Sequence, residues 1–243
     1  MYTIRKLGSI YLDEKPVKPG WVYGRSTAAI SLGDTVYEKA ITWISTCGLL
    51  IANQSLLKKV SWNDLERNGL VWGKEIVIDR LRYRVRLMKQ LPDEQGNEWD
   101  NALEDAGGNN DMWHWRDNPF WEQDGPCEET ALRITRGGHL AHSLRCCRPN
   151  SRQDNVGYRP VLEPITVPMG DDLIGEDLLV WTDSGGMVTG RLVEHTSYDL
   201  VFADGAFFSY DGRSPSGGVS SMMGVTCVDL EHILTVQTFV KEP

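Results

Sequence analysis

The apolar residues of this chain occur in short runs separated by turn-forming glycine and aspartate, and this spacing favours a fold rich in short strands. Near the N-terminus the runs are Trp21–Tyr23, Thr35–Tyr37 and Ile41–Ile44. Runs of this length, bounded by turn residues, are typical of β-strands. From Arg82 to Leu87 arginine alternates strictly with apolar residues, which predicts a strand with one buried and one solvent-facing side.

Two segments carry helix signals instead. Ser61 and Asp64 have the spacing of a capping box, and Gly69 stands where a helix-terminating glycine belongs. A second helix is predicted from Asn97 to Ala106, because two glycines follow it and end it. Few helices and many short strands joined by long irregular loops predict the α+β class.

The charged residues divide the chain into two parts. Residues 1–164 contain 22 basic and 22 acidic residues, whereas residues 165–243 contain 3 basic and 12 acidic residues and carry the whole net charge of −9. We therefore predict a first domain over residues 1–164 and a small acidic domain over residues 165–243. The short apolar runs of the second domain predict a small β-barrel. An acidic domain repels a phosphate backbone, so nucleic acid is not expected as a partner.

Cysteine usage and hydrophobic segments indicate the compartment. The cysteines are odd in number and lack a CxxC pair, so no disulfide framework is expected; they are Cys47, Cys127, Cys146, Cys147 and Cys227. The N-terminal residues contain no apolar run typical of a signal peptide, and the longest apolar stretch, Ile41 to Ala52, is too short to span a bilayer. We therefore expect cytoplasmic synthesis and no membrane insertion.

Short motifs follow one another through the middle of the chain: VSW at residues 60–62, YRVRL at 83–87, NEW at 97–99, MWHW at 112–115, TRGG at 135–138 and NVGYR at 155–159. This succession resembles the sulfatase-modifying-factor domain of formylglycine-generating enzymes and covers residues 60–163. The resemblance implies a C-type-lectin-like first domain, in which tryptophan and arginine side chains hold loops in place. The chain looks closer still to uncharacterised proteins from Gram-positive bacteria and their phages. Residues 175–202 resemble the first half of an Sm-like or SH3-like barrel.

The resemblance also bears on catalysis. Active members of that family bind copper through two cysteines that closely follow the RGG motif, and copper(I) requires soft thiolate ligands. The matching stretch, Gly138 to Arg145, contains no cysteine. We therefore interpret the chain as a non-catalytic binding or structural protein, with a phage or prophage origin and a virion-associated location as its context. Cys146 and Cys147 are interpreted as small buried residues.

Two alternatives to this interpretation stay open. One is a divergent metal-dependent oxidoreductase of the formylglycine-generating type that uses Cys146 and Cys147 as an unusual metal site. The other is a purely structural assembly subunit that forms homo-oligomers, because small barrels often associate through strand edges.

The connection between the RGG and GYR motifs is the exposed, variable surface of this type of fold, and binding is expected on such loops. It runs from Gly138 to Asn155, and its candidate binding residues are His139, His142, Arg145, Arg148, Asn150 and Arg152. The arginines suit a carboxylate or phosphate on a protein or carbohydrate partner. Arg136 and Arg159 lie inside the motifs and are predicted to be buried side chains that bridge carbonyls and carboxylates.

Metal binding is considered at two places. The first is a histidine cluster of His114, His139 and His142, for which the spacing provides no acidic partner. The second is the loop with Asp105, Asn109 and Asp111, whose hard oxygen atoms are of the kind that calcium takes. Calcium needs about six to eight oxygens, so turn and cap chemistry is the preferred interpretation of this loop. No cofactor is therefore expected, and calcium is kept as the alternative.

Overall fold

The structure is a computed structural model that describes residues 2–91, 96–123, 131–208 and 217–241. Strands and bridges account for 47% of these residues, and most strands pair antiparallel. The prediction of an α+β class with a C-type-lectin-like domain and a small barrel is therefore wrong, because the described residues form a β-rich fold. Both predicted helices form, but they are short, with 6 residues in the first and 9 in the second. Gly69 lies beyond the end of the first helix and Gly107 beyond the end of the second, each with a positive φ.

The described residues contain three α-helices, which are α1 (Trp62–Arg67), α2 (Glu98–Ala106) and α3 (Asn110–Trp113). The strands up to residue 164 are β1 (Thr3–Leu12), β2 (Lys15–Val17), β3 (Trp21–Val22), β4 (Ile30–Gly33), β5 (Ala40–Thr46), β6 (Leu49–Ala52), β7 (Leu57–Lys58), β8 (Lys74–Ile78), β9 (Leu81–Arg86), β10 (Phe120–Trp121), β11 (Arg133–Arg136), β12 (Leu144–Cys147), β13 (Gly157–Tyr158) and β14 (Val161–Pro164). The strands after it are β15 (Asp177–Thr182), β16 (Met187–His195), β17 (Asp199–Phe208), β18 (Val219–Met222), β19 (Val225–Asp229) and β20 (Ile233–Thr238).

Local sequence signals account for several of these elements. The Ser61 hydroxyl accepts a hydrogen bond from the backbone N–H of Asp64, whose carboxylate accepts one from the backbone N–H of Ser61, so the capping box of α1 is confirmed. Asn97 caps α2 through its side chain. In β9, Tyr83 and Val85 are buried while the arginines at 82 and 84 are exposed, which confirms the alternation there.

The strands form three sheets. An eight-stranded sheet has the order β2-β1-β5-β6-β14-β9-β8, with β4 paired to β1. A six-stranded sheet has the order β12-β11-β10-β13-β7-β3, and another has the order β18-β19-β17-β16-β15-β20. Among the described strands, β12 and β3 are therefore the terminal strands of their sheet.

The chain divides into two compact units. The larger unit contains residues 4–79 and 84–163, and the smaller unit contains residues 1–3, 80–83 and 164–243. The predicted domains over residues 1–164 and 165–243 stay a prediction. Across the part of the chain that the structure describes, no helix combines the length and the apolar character needed to cross a membrane.

Tryptophans organise the core of the larger unit. Trp99 packs edge-on against Trp113 and Phe120, with ring centroids 5.1 and 4.9 Å apart. Indole N–H groups also donate to loop carbonyls, in the pairs Trp99 to Ala141, Trp113 to Gly107, Trp115 to Gly108 and Trp121 to Val60. These bonds confirm that tryptophan side chains hold loops in place.

The smaller unit has an apolar core of its own. Buried residues from β15, β16 and β17 form its centre, namely Leu178, Val180, Val188, Leu192, Leu200 and Phe202. Along β17 they alternate with less buried residues, as expected for a strand with one buried face, whereas residues 178–182 of β15 are all buried.

Candidate binding surface

The segment that begins at Gly138 passes through a loop into the terminal strand β12. Hydrogen bonds hold this loop in one conformation: Trp99 Nε1 donates to Ala141 O at 2.9 Å, and Gly137 N donates to Ser143 O at 2.9 Å. Leu140 N donates to Ser143 Oγ at 3.0 Å. The loop is thus attached both to a buried tryptophan of α2 and to itself.

The exposed residues of this loop and strand include both apolar and cationic side chains. Leu140 is 61% exposed and Leu144 is 41% exposed. Arg145 and Arg148 are exposed next to them in the sequence. Residues 137–153 contain three arginines and no acidic residue. We call this surface the basic patch, and its residues are His139, Leu140, His142, Leu144, Arg145 and Arg148.

His142 is oriented by a chain of charged groups. Its Nδ1 lies 2.6 Å from Asp100 Oδ1 in the first turn of α2. Asp100 Oδ2 lies 3.4 Å from Arg136 Nη1, and Arg136 Nε donates to Glu122 Oε1 at 3.0 Å. Arg136 and Glu122 are buried, so this chain joins the interior of the unit to the patch. The prediction that Arg136 is a buried bridge between carboxylates is confirmed.

Two further residues predicted for the binding surface, His139 and Asn150, are exposed. His114, a residue of the predicted histidine cluster, is also exposed and lies at the end of α3. No group of three or more histidine, cysteine, aspartate or glutamate side chains that could hold a metal occurs among the described residues. The histidine cluster considered from the sequence is therefore not brought together in the part that the structure describes.

Arg152 does not belong to the exposed surface, so the expectation that places it there is wrong. Its Nε and Nη2 donate to the two carboxylate oxygens of Asp64 at 2.8 and 2.7 Å, and its Nη1 donates to Gly24 O at 2.7 Å. The Asp64 side chain is only 1% exposed, and the guanidinium lies 5.3 Å from the centre of the Tyr23 ring. Arg152 therefore ties the returning chain to the N-terminus of α1.

Asp64 receives further hydrogen bonds in this position. Ser61 donates to it through both N–H and hydroxyl, and Arg67 Nη2 donates at 2.8 Å. Burial alone would raise the pKa of Asp64, but the hydrogen bonds from Arg152 and Ser61 outweigh burial and hold the pKa below its ordinary value. The carboxylate thus stays ionised inside the unit.

Arg159 is fully buried, as predicted from its motif, but its hydrogen-bond partner is one carbonyl and, among the described residues, no carboxylate. Its Nη2 donates to His114 O at 3.4 Å, and the guanidinium lies against the rings of both Trp99 and Phe120, 5.0 and 4.6 Å from their centres. The two π faces supply negative potential to a cation that has little water around it. Burial lowers the pKa of Arg159 to about 9, so the side chain is still protonated at neutral pH.

The cysteines of β12 contradict the expectation of two small buried residues. Cys147 is buried, and its Sγ lies 3.9 Å from Thr135 Oγ1, whereas Cys146 is exposed and disulfide-bonded. Adjacent strand residues point to opposite faces, so only one of the pair can enter the interior. Cys47 and Cys227 are free thiols, and Cys127 lies outside the described residues. The expectation of no disulfide framework did not anticipate this disulfide at Cys146.

The calcium candidates serve local structure. Asp105 accepts a hydrogen bond from Thr46 Oγ1 at 2.6 Å. Asn109 caps α3 by accepting a hydrogen bond from the backbone N–H of Asp111 at 2.9 Å. These contacts are the turn and cap chemistry preferred from the sequence; calcium binding itself stays an untested alternative.

A cleft of about 220 Å³ lies beside the β5–β6 hairpin and α2. Arg86 lines it and donates to both carboxylate oxygens of Glu98 at 2.6 Å, and it also pairs with Glu163. Burial alone would lower the pKa of Arg86, but the bonds to Glu98 and Glu163 outweigh burial and raise it. The alternation in β9 wrongly predicts a solvent-facing Arg86. Its carboxylate partners come from distant segments, so no local signal could have revealed them.

No family model matches the chain, and no curated protein or solved structure matches it significantly. The resemblances to the sulfatase-modifying-factor domain and to bacterial and phage proteins stay predictions.

Proposed function

We propose that the chain is a non-catalytic binding protein whose basic patch recognises an acidic and partly apolar surface of another protein. One observation carries the proposal: two exposed leucines are followed by two exposed arginines between residues 140 and 148, on a loop and strand that hydrogen bonds hold in place. Leu140 and Leu144 are 61% and 41% exposed, and Arg145 and Arg148 are exposed beside them. Contiguous exposed apolar surface marks interaction sites, and arginine is enriched in interfaces.

The attachments of the loop support binding because they reduce its entropic cost. Ordering a flexible side chain on association costs about 0.5–1.5 kcal/mol. The bond from Trp99 to Ala141 and the contact of His142 with Asp100 order this loop before any partner arrives. More of the contact energy is therefore available for affinity.

The arginines support a partner that carries carboxylates. A guanidinium forms paired hydrogen bonds with a carboxylate, and its weak hydration suits an interface. Because no acidic residue lies within residues 137–153, Arg145 and Arg148 have no acidic neighbours along the chain. Charges at the rim of an interface mainly raise the rate of encounter and make it salt-dependent.

Binding can be measured by biolayer interferometry with a random copolymer of glutamate and tyrosine as the probe. Arg145→Ala combined with Arg148→Ala is expected to weaken binding about tenfold, which corresponds to about 1.4 kcal/mol. Leu140→Ser combined with Leu144→Ser is expected to weaken it by a similar factor. Arg82→Ala combined with Arg191→Ala removes the same charge from the smaller unit and should leave the affinity within about twofold.

The outcome that refutes this proposal is an equal loss of affinity in the patch variants and in the control variant, because net charge alone would then explain binding. Heparin provides a second comparison, since it is anionic but has no apolar side chains. Tighter binding to heparin than to the copolymer, unaffected by the leucine changes, would instead indicate an anionic carbohydrate as the partner. A cytoplasmic or virion-associated location stays a prediction.

A further inference from the structure

The smaller unit presents a surface with the opposite character. Residues 165–243 carry 12 acidic and 3 basic residues. At the turn between β16 and β17, Tyr198 is 76% exposed and Val193 is 46% exposed. Glu194 and Glu231 are exposed near them. We call Val193, Glu194, Tyr198 and Glu231 the acidic face.

Backbone contacts bring these residues together. Leu230 N donates to Tyr198 O at 2.8 Å, which places the short helical turn containing Glu231 next to the β16–β17 turn. Glu194 pairs with Val201 across the same hairpin. Apolar and acidic side chains therefore occur together here, as apolar and cationic side chains do in the basic patch.

We propose that a second copy of this chain is the partner of the basic patch, so that the patch of one copy binds the acidic face of the next. This inference rests on the proposed function, because it names the occupant of the same patch. Charge decides the arrangement: two basic patches repel each other, as do two acidic faces, whereas a patch and a face attract. Apolar side chains on both surfaces supply the area that becomes buried.

Such a contact is heterologous, because each copy contributes a different surface to it. An open assembly then retains one free patch at one end and one free face at the other, so assembly continues until a ring closes or a filament forms. The contact depends on charge, so it should weaken as the Debye length falls from about 30 Å at 0.01 M salt to about 3 Å at 1 M salt.

Sedimentation velocity on the full chain tests this inference. At about 0.01 M salt the mean mass is expected to rise with protein concentration, and at about 1 M salt it is expected to return to that of the monomer. Arg145→Glu combined with Arg148→Glu should weaken self-association at least about tenfold. Glu194→Lys combined with Glu231→Lys should do the same. All four side chains are exposed, so unchanged melting temperatures serve as the folding control.

Mixing the two charge-reversed variants gives the sharpest result. Each variant alone carries surfaces of like charge and is expected to remain monomeric. In the mixture, the acidic patch of one variant meets the basic face of the other, and the remaining patch and face keep their natural charges. Association should therefore return in the mixture alone.

Self-association that persists in both variants, or that fails to return on mixing, would overturn the inference. A wild-type chain that stays monomeric at low salt would overturn it too. If that monomer still binds the glutamate–tyrosine copolymer through Arg145 and Arg148, the proposed function stands and its natural partner is another protein.

Discussion

Replacing Arg152 by alanine is expected to destabilise the larger unit, although the residue lies in a segment predicted from the sequence to be exposed. The change removes both hydrogen bonds from the guanidinium to the buried Asp64 carboxylate and the bond to Gly24 O. Asp64 keeps its bonds from Ser61 and from Arg67. The Asp64 carboxylate is then left ionised with fewer hydrogen-bond donors, in a position where its side chain is only 1% exposed.

The size of the effect follows from this geometry. Removing one partner of a fully buried ion pair costs about 3–5 kcal/mol. Arg152 is 28% exposed, so water partly replaces it, and the remaining donors to Asp64 lower the cost further. We expect the free energy of unfolding to fall by about 2–3 kcal/mol. For a protein of this size this corresponds to a decrease in Tm of roughly 5–10 °C.

Calorimetry or thermal melting followed by circular dichroism measures the change. Arg148→Ala is the matched control, since it removes an exposed arginine from the same segment and should alter stability by less than about 0.5 kcal/mol. Arg152→Lys should recover only part of the loss, because an ammonium group cannot reproduce the two-point contact with Asp64. An Arg152→Ala chain that melts within about 1 °C of the wild type would refute the reasoning.

The same pair predicts a pH dependence. The pKa of Asp64 is held below its ordinary value of 3.8. A carboxylate with a lowered pKa stabilises the fold above the unfolded pKa, and this stabilisation disappears as the pH falls through the folded pKa. The difference in Tm between wild type and Arg152→Ala should therefore be constant above about pH 5 and shrink below pH 3.8. A difference that grows on acidification would contradict the assignment.

Three further predictions concern other sites. Cys146→Ala should lower the free energy of unfolding by about 2–4 kcal/mol because its disulfide is lost. Cys147→Ala should lower it by about 1–2 kcal/mol because a small buried side chain is shortened. Thermal melting measures both losses, and thiol titration shows which variant has lost the disulfide. Arg159→Met should stay within about 1 kcal/mol of the wild type while Arg159→Ala loses about 3 kcal/mol in denaturant unfolding, because methionine fills the space without burying a charge. The hydrogen bond to Asp183 raises the pKa of His232 above 6.5, so this contact stabilises the fold fully below pH 6.5 and is lost as the pH rises through the folded pKa. Asp183→Asn should return the pKa to near 6.5 in an NMR titration, and an unchanged His232 titration would exclude the contact.

The helix termini could be predicted because their signals are local. Ser61 and Asp64 are three residues apart, and a capping box needs nothing beyond that spacing. The alternation in β9 likewise predicts which face of Tyr83 and Val85 is buried. The predicted fold class was wrong because long-range contacts decide how many strands pair, and strands and bridges account for 47% of the described residues.

The candidate site was only partly predictable. Exposure of Arg145 and Arg148 is consistent with a polar connection between two motifs. Arg152 stands in the same connection and has the same chemistry, yet its partner Asp64 is 88 positions away in the sequence. The spacing of residues along the sequence does not reveal that contact, so the exposed arginines and the half-buried Arg152 cannot be distinguished from the sequence.

The amino-acid sequence alone determined the caps, the short strands, the uneven distribution of charge and the tryptophans that attach loops to the core. Each of these follows from the chemistry of neighbouring residues or from simple counting. The tertiary structure decided which cations are paired: it turned Arg86 inward against Glu98 and Glu163, and it left Arg145 in solvent. Sheet order brings distant segments together, and a charge enters the interior where an opposite charge from such a segment offsets its loss of water.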